Sequence, residues 1–282
     1  MIENIVFSGG STKGLCFIGT IKYLEELNIL DNITNYAGSS VGSFISFLVL
    51  LGYRYNELNN LFMKIDLDKF TNIDSTNLIN FFDNYGIDPG DKITKTLKIF
   101  LKRKLNCEDI TFSDLYLKTN KLFTVTGSCL NNLACEYFNK VNTPNMSVLT
   151  AIRISISVPL LYQPVKYNDK YYVDGALTDN FAIDLFENDN KKTIGFVLVS
   201  NDLYNNEINS IEHFFLSLIW TSTAHQLKNK IEKYKDITIQ IEANINSFDF
   251  SIKKEQKISL INQGYEITKK NIIKQFSYLL NK

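Results

Sequence analysis

The sequence is poor in the residues from which most metal sites and catalytic triads are built. It has two histidines, His213 and His225, and four cysteines, Cys16, Cys107, Cys129 and Cys135. None of the cysteines has a C-x-x-C partner, and both histidines lie far from them, which argues against a zinc site. At 282 residues a disulfide framework is not expected either, so free thiols in a reducing compartment are the better reading. No apolar run is long enough to span a bilayer; the longest, Phe44 to Leu51, is the length of a core helix. The opening Met1-Ile2-Glu3-Asn4 has neither the basic start nor the apolar stretch of a signal peptide. Thirty Lys and Arg balance thirty Asp and Glu, so no bulk attraction draws the chain to nucleic acid. Repeats, low-complexity tracts and linkers are missing as well. These absences point to one soluble, cytoplasmic domain over residues 1–282, with no metal or organic cofactor and with oligomeric state unspecified.

What is present is a β-α-β-α opening. Asn4 to Ser8 has the apolar run of a strand, Gly9 to Gly14 is a small-residue loop, and Leu15 to Leu30 carries apolar residues at helical spacing. Ile33 to Ala37 can form a second strand and Val41 to Leu51 a strongly apolar helix. That order favours a parallel sheet covered by helices. Further on, helices are expected over Asn56–Ile65, Asn77–Phe82, Lys92–Leu105, Ser147–Ser157, Ile208–Tyr234 and Lys254–Leu280. Hairpins are expected to turn at Asn131-Asn132 and Asn168-Asp169, and single strands to lie at Thr193–Val199 and Ile237–Ile241.

Between the second strand and its helix stand Gly38, Ser40 and Gly42, a G-x-S-x-G pattern. In that context the central Ser sits on a sharp strand-to-helix turn, its hydroxyl beside the helix N-terminus. The loop Gly9-Gly10-Ser11-Thr12-Lys13-Gly14 can turn successive amides toward an anion. As a nucleotide loop it is weak, because Lys13 precedes Gly14 and Ser11 occupies the third glycine of the dinucleotide fingerprint. An oxyanion hole serving a nucleophile on the next strand fits better. Two bases are open to Ser40: a histidine of the 208–234 helix, or Asp174, which ends a strand just before Gly175-Ala176. Neither histidine sits at a strand end, which favours Asp174.

Three segments in order, Phe7-Ser8-Gly9-Gly10-Ser11-Thr12-Lys13-Gly14, Gly38-Ser39-Ser40-Val41-Gly42 and Asp174-Gly175-Ala176, resemble the motifs of the patatin-like phospholipases. Ala151 to Pro159, Gln163-Pro164-Val165 and Asp179-Asn180 are similar to that family too, so the resemblance runs from about Asn4 to Val199. It implies a three-layer α/β/α lipid acyl hydrolase in which Ser40 is the nucleophile and Asp174 the base. The amides of Gly9, Gly10 and Ser11 would form the oxyanion hole. Lys13, Gly14, Gly38, Gly42, Gly175 and Ala176 would support the motifs. The implied partner is a phospholipid or other acyl lipid, met in transient contact with a membrane surface. Ser11 departs from the family's usual Gly; an ordinary backbone conformation there is expected to accommodate it. The alternatives are an acyltransferase with the same motifs, or an idle lipid-binding scaffold on the same fold. Phe44, Phe47, Phe81, Phe82, Leu160, Leu161 and Tyr162 are candidates to line an acyl channel. The basic and apolar stretch Lys92 to Leu105 suits either a solvated core-facing helix or a membrane-touching one.

Overall fold

The computed structural model describes residues 1–66, 81–199, 208, 211–243, 245 and 251–280. Its centre is an eight-stranded sheet. The strands are β1 (Asn4–Phe7), β2 (Asn35–Gly38), β4 (Leu122–Cys129), β5 (Ala134–Phe138), β7 (Val165–Tyr167), β8 (Lys170–Asp174), β9 (Thr193–Val199) and β10 (Thr238–Glu242). Their order is β10-β9-β1-β2-β4-β8-β7, with β5 also on β4. From β10 to β4 neighbours run parallel; β5 and β8 are antiparallel to β4, and β7 to β8. A small second sheet pairs β3 (Gly86–Asp88) in parallel with β6 (Leu160–Tyr162).

Among the described residues the helices are α1 (Leu15–Glu26), α2 (Val41–Leu50), α3 (Tyr55–Lys64), α4 (Asp91–Leu105), α5 (Phe112–Thr119), α6 (Val148–Ser155), α7 (Ile211–Lys233) and α8 (Lys254–Gln275), besides short turns and a kinked 3-10 segment over Ile183–Lys192. Strand β1 shows why they form layers. All four of its residues are buried, but alternate side chains enter different cores. Ile5 and Phe7 join the larger core, with Phe17 of α1, Phe47 of α2 and Ile261 of α8. Val6 joins a smaller one, with Ala37, Phe181, Val197 and, from α7, Leu227 and Ile231. A strand covered on both faces belongs inside a parallel sheet with helices above and below. The architecture is the expected three-layer α/β/α.

Some boundaries depart from expectation. Strands β3 and β6 are three residues each and carry no alternation to read, so neither was expected. Residues 77–80 of the expected helix Asn77–Phe82 lie outside the described residues, and Phe81–Asn84 forms one turn. The Gly9–Gly14 loop closes as a 3-10 turn over Ser11–Gly14, with Lys13 N donating to Gly10 O at 3.1 Å.

Candidate active site

Ser40 stands between the end of β2 and the start of α2 with φ 50° and ψ −127°. The glycines around it allow that geometry by contact. A Cβ on Gly38 would lie 2.5 Å from the carbonyl carbon of Gly42, and one on Gly42 would overlap the Phe7 carbonyl at the end of β1. Strand exit, helix entry and the neighbouring strand are thus packed backbone to backbone, and only Gly fits at either position. The Ser40 amide donates to Ser155 Oγ at 2.9 Å, which fixes the turn to the last residue of α6.

From that position Ser40 Oγ donates to Asp174 Oδ2 at 2.6 Å. Asp174 ends β8, opposite Gly127 of β4. A Cβ on Gly175 would collide with Thr126 Oγ1, so the Asp-Gly step crosses β4 at close quarters. The carboxyl is held at both oxygens, since Oδ1 accepts from the Ala176 amide at 2.8 Å. Its backbone is held as well: Asp174 N donates to Ser157 O at 2.9 Å, and Asp174 O accepts from Ser128 Oγ at 2.7 Å. Burial pushes the Asp174 carboxyl up from 3.8 to about 7, against the lowering effect of the hydrogen bonds from Ser40 and Ala176. His225 is exposed on α7 with its Nε2 3.0 Å from Asn229 Nδ2, and among the described side chains no histidine meets Ser40. The side chain of His213 lies outside the described ones.

The loop expected to supply the oxyanion hole shows two features that the sequence did not reveal. The Gly9 amide is already engaged, donating to Asn180 Oδ1 at 2.9 Å and to Asn180 O at 3.2 Å. As it stands, Gly9 is therefore not a spare donor. Ser11 has φ 50°, a left-handed conformation rather than the ordinary one expected. Among the described residues, no acceptor is seen for the Gly10 and Ser11 amides. Lys13 is buried, in the neighbourhood of Cys16, whose thiol burial pushes up to about 12. Gly14 brings the loop against α2, since a Cβ there would lie 2.5 Å from Val41 Cγ2.

Ser40 and Ser11 open on a cavity of about 130 Å³ with otherwise largely apolar walls. Of the residues expected to line a channel, Phe44, Leu161 and Tyr162 do so. Phe47 instead stacks on Phe123 in the core, ring centroids 6.0 Å apart, and Phe82 is 83% exposed. Beside the Gly9–Gly14 loop and the starts of α1 and α2, the wall takes in Phe62 and Ile65 at the end of α3, Ile93 of α4, and Ile156 and Val158. These were missed because nothing local marks a helix end as facing a site on another element. Arg153 was also given no role. It is buried, donates to Pro89 O at 2.9 Å and to Gln163 O at 3.1 Å, and also donates to Ser157 Oγ. Burial lowers its pKa. The guanidinium thereby joins the β3–β6 sheet to α6 and to the residue whose carbonyl holds Asp174.

A model of the patatin-like phospholipase family matches residues 5–187, from β1 past the Asp174 turn. The chain belongs to that family. Among relatives of this patatin-like chain, an uncharacterized protein of Acanthamoeba polyphaga mimivirus, R571, is 29% identical across 98% of the chain and 96% of its own length. The probable lipid hydrolase 463L of Invertebrate iridescent virus 6 is 24% identical across 92% of the chain and 88% of its length. The crystal structure of VipD from Legionella pneumophila superposes with a TM-score of 0.67 at 16% identity, covering 97% of the chain and 67% of VipD, a likeness of fold. Among the described residues no helix of this patatin-like protein is long and apolar enough to cross a membrane.

Proposed function

We propose that the protein hydrolyses acyl esters of lipids through Ser40 and Asp174. The observation that carries this reading is the 2.6 Å hydrogen bond to a buried carboxylate from the Oγ of Ser40, a residue that lines an apolar cavity. A serine hydroxyl is a weak nucleophile until a base takes its proton. Asp174, with its pKa raised to about 7, is a stronger base than an ordinary carboxylate, yet it is substantially ionised at neutral pH. Asp174 accepts the Ser40 proton as Oγ attacks the ester carbonyl. The oxyanion faces the Gly10 and Ser11 amides; Gly9 joins them only if its bond to Asn180 opens. Collapse passes the proton to the departing alkoxide and leaves acyl-Ser40, which a water activated by Asp174 then hydrolyses. No metal takes part in these steps. The acyl chain occupies the cavity between Phe44, Phe62 and Leu161. The family match and a relative named as a probable lipid hydrolase support the reaction class.

A fluorophosphonate probe, followed by peptide mapping and by release of fatty acid from phospholipid, tests the proposal. Labelling of Ser40 with release of fatty acid is expected. A folded protein that neither labels nor turns over a short ester would refute it.

A further inference from the structure

Helix α4 carries six cations, Lys92, Lys95, Lys98, Lys102, Arg103 and Lys104, against one acid, Asp91, in a chain whose net charge is zero. Its apolar residues Ile93, Leu97, Phe100 and Leu101 are buried. On the inward side Lys104 is paired with Glu57 at 2.7 Å and lies over the Tyr53 ring. Lys95, Lys98, Ile99, Lys102 and Arg103, spaced i, i+3, i+4, i+7 and i+8, form one exposed stripe. Ile99, at 52% exposed, sits among those cations. The pair of Lys102 with Glu108, 2.7 Å apart, is open to water on both sides and neutralises little of the stripe.

Two further features adjoin this helix in sequence. Phe82 and Tyr85 are large, exposed aromatics immediately before β3, and the Tyr85 ring meets that of Tyr171 at 6.4 Å. Strand β3 pairs with β6, which supplies Leu161 and Tyr162 to the cavity wall, and Ile93 of α4 lines the same cavity. Cations for anionic headgroups, aromatics of the kind that settle at a bilayer interface and part of the cavity wall are thus carried by consecutive elements and by the strand paired with one of them.

We propose that the exposed stripe of α4, with Phe82 and Tyr85, docks the protein on an anionic lipid bilayer and brings the Ser40 cavity to that surface. The inference rests on the acyl-hydrolase reading for its substrate and names the surface that delivers it. A basic stripe interleaved with one apolar residue binds by headgroup attraction plus shallow burial, and each cation near an anionic surface contributes about fivefold in affinity.

The test is co-sedimentation with vesicles of phosphatidylcholine alone and of phosphatidylcholine mixed with phosphatidylserine, at low and high salt. Two variants are compared with wild type: Lys95→Ser, Lys98→Ser, Lys102→Ser and Arg103→Ser together, and a control of equal charge change on α8, Lys254→Ser, Lys269→Ser, Lys270→Ser and Lys274→Ser. Wild type and control are expected to bind the anionic vesicles and to be released by salt. The α4 variant is expected to lose at least about thirtyfold in affinity and its activity on those vesicles, while keeping wild-type turnover of a soluble short-chain ester. Equal binding by the α4 variant, equal loss in the control, or no preference for anionic vesicles would overturn the proposal. So would an α4 variant that loses RNA binding but keeps vesicle binding, which would make the stripe a nucleic-acid face. Failure of the hydrolase reading is separate, because it appears as a wild type inert on the soluble ester.

Discussion

Replacing Asp174 by Asn separates what the carboxylate does for chemistry from what it costs the fold. Asp174 is 2% exposed, and burial raises its pKa from 3.8 to about 7. In the unfolded chain the group ionises near its ordinary value, whereas the native state holds the proton until pH approaches 7. Between about pH 4 and pH 7 the native state therefore binds more protons than the unfolded state, and stability falls as pH rises. The contribution is fully present below the unfolded pKa and is lost as pH passes through the folded one. At 1.36 kcal/mol per pH unit, the difference amounts to on the order of 4 kcal/mol. Asn cannot ionise, is nearly isosteric, and can still accept from the Ala176 amide. Urea unfolding of both proteins is expected to show Asp174→Asn gaining on wild type by about 2–4 kcal/mol between about pH 4 and pH 8, with hydrolysis nearly abolished throughout. In wild type, kcat/KM for a short ester should rise with an apparent pKa near 7, since the base acts only when ionised. A stability gap that does not change with pH would refute the reasoning, because the carboxyl would then be no harder to ionise in the native state than in water.

Ser40→Ala is expected to abolish ester hydrolysis and fluorophosphonate labelling while circular dichroism and the unfolding midpoint hold. His213→Ala with His225→Ala should keep most of the activity in steady-state assays, as expected if Asp174 is the base. Ser11→Gly should raise stability by about 1 kcal/mol in urea titration, because Gly relieves the left-handed φ of 50°; its effect on turnover should stay within tenfold, which initial-rate measurements would show. Gly42→Ala should leave little folded protein on a thermal melt, since its Cβ has nowhere to go but the Phe7 carbonyl.

The parts of this molecule legible in sequence are those encoded by neighbours along the chain. The turn at Ser40 depends on Gly38 and Gly42, two residues to either side. The Asp174 turn depends on Gly175, and β1 on an unbroken apolar run. What escaped is set by distant contacts. Strands β3 and β6 exist because Gly86 and Asp88 find Leu160 and Tyr162, and three residues carry no period of their own. The Gly9 amide could be read as a free donor because the side chain that takes it, Asn180, is 171 positions away. Ser11 has a left-handed φ although an ordinary conformation was expected, because the loop must turn from β1 into its 3-10 turn within a few residues. Phe62 and Ile65 reach the cavity through the packing of α3, which helical periodicity predicts as a buried stripe without saying what it faces.

The costs of the site are gathered in one place, and so is the burial that offsets them. Ser40 and Ser11 each hold a non-glycine residue at φ 50°, which costs about 1–3 kcal/mol apiece, beside a carboxylate that resists ionisation. Directly behind Ser40 runs α2, the most apolar of the described helices, burying Phe44, Ile45, Phe47, Leu48, Val49 and Leu50. At about 1.5–3 kcal/mol per large apolar side chain, that burial exceeds the strain in the turn several times over. It also acts at the right point, because α2 cannot seat those residues against β1, β2 and β4 without carrying Val41 and Gly42 into place and forcing the turn at Ser40. Were α2 amphipathic and half exposed, a relaxed turn would compete with the strained one, and Ser40 Oγ would be free to swing off Asp174. The continuous apolar run after the G-x-S-x-G pattern therefore belongs to the site as much as the serine does.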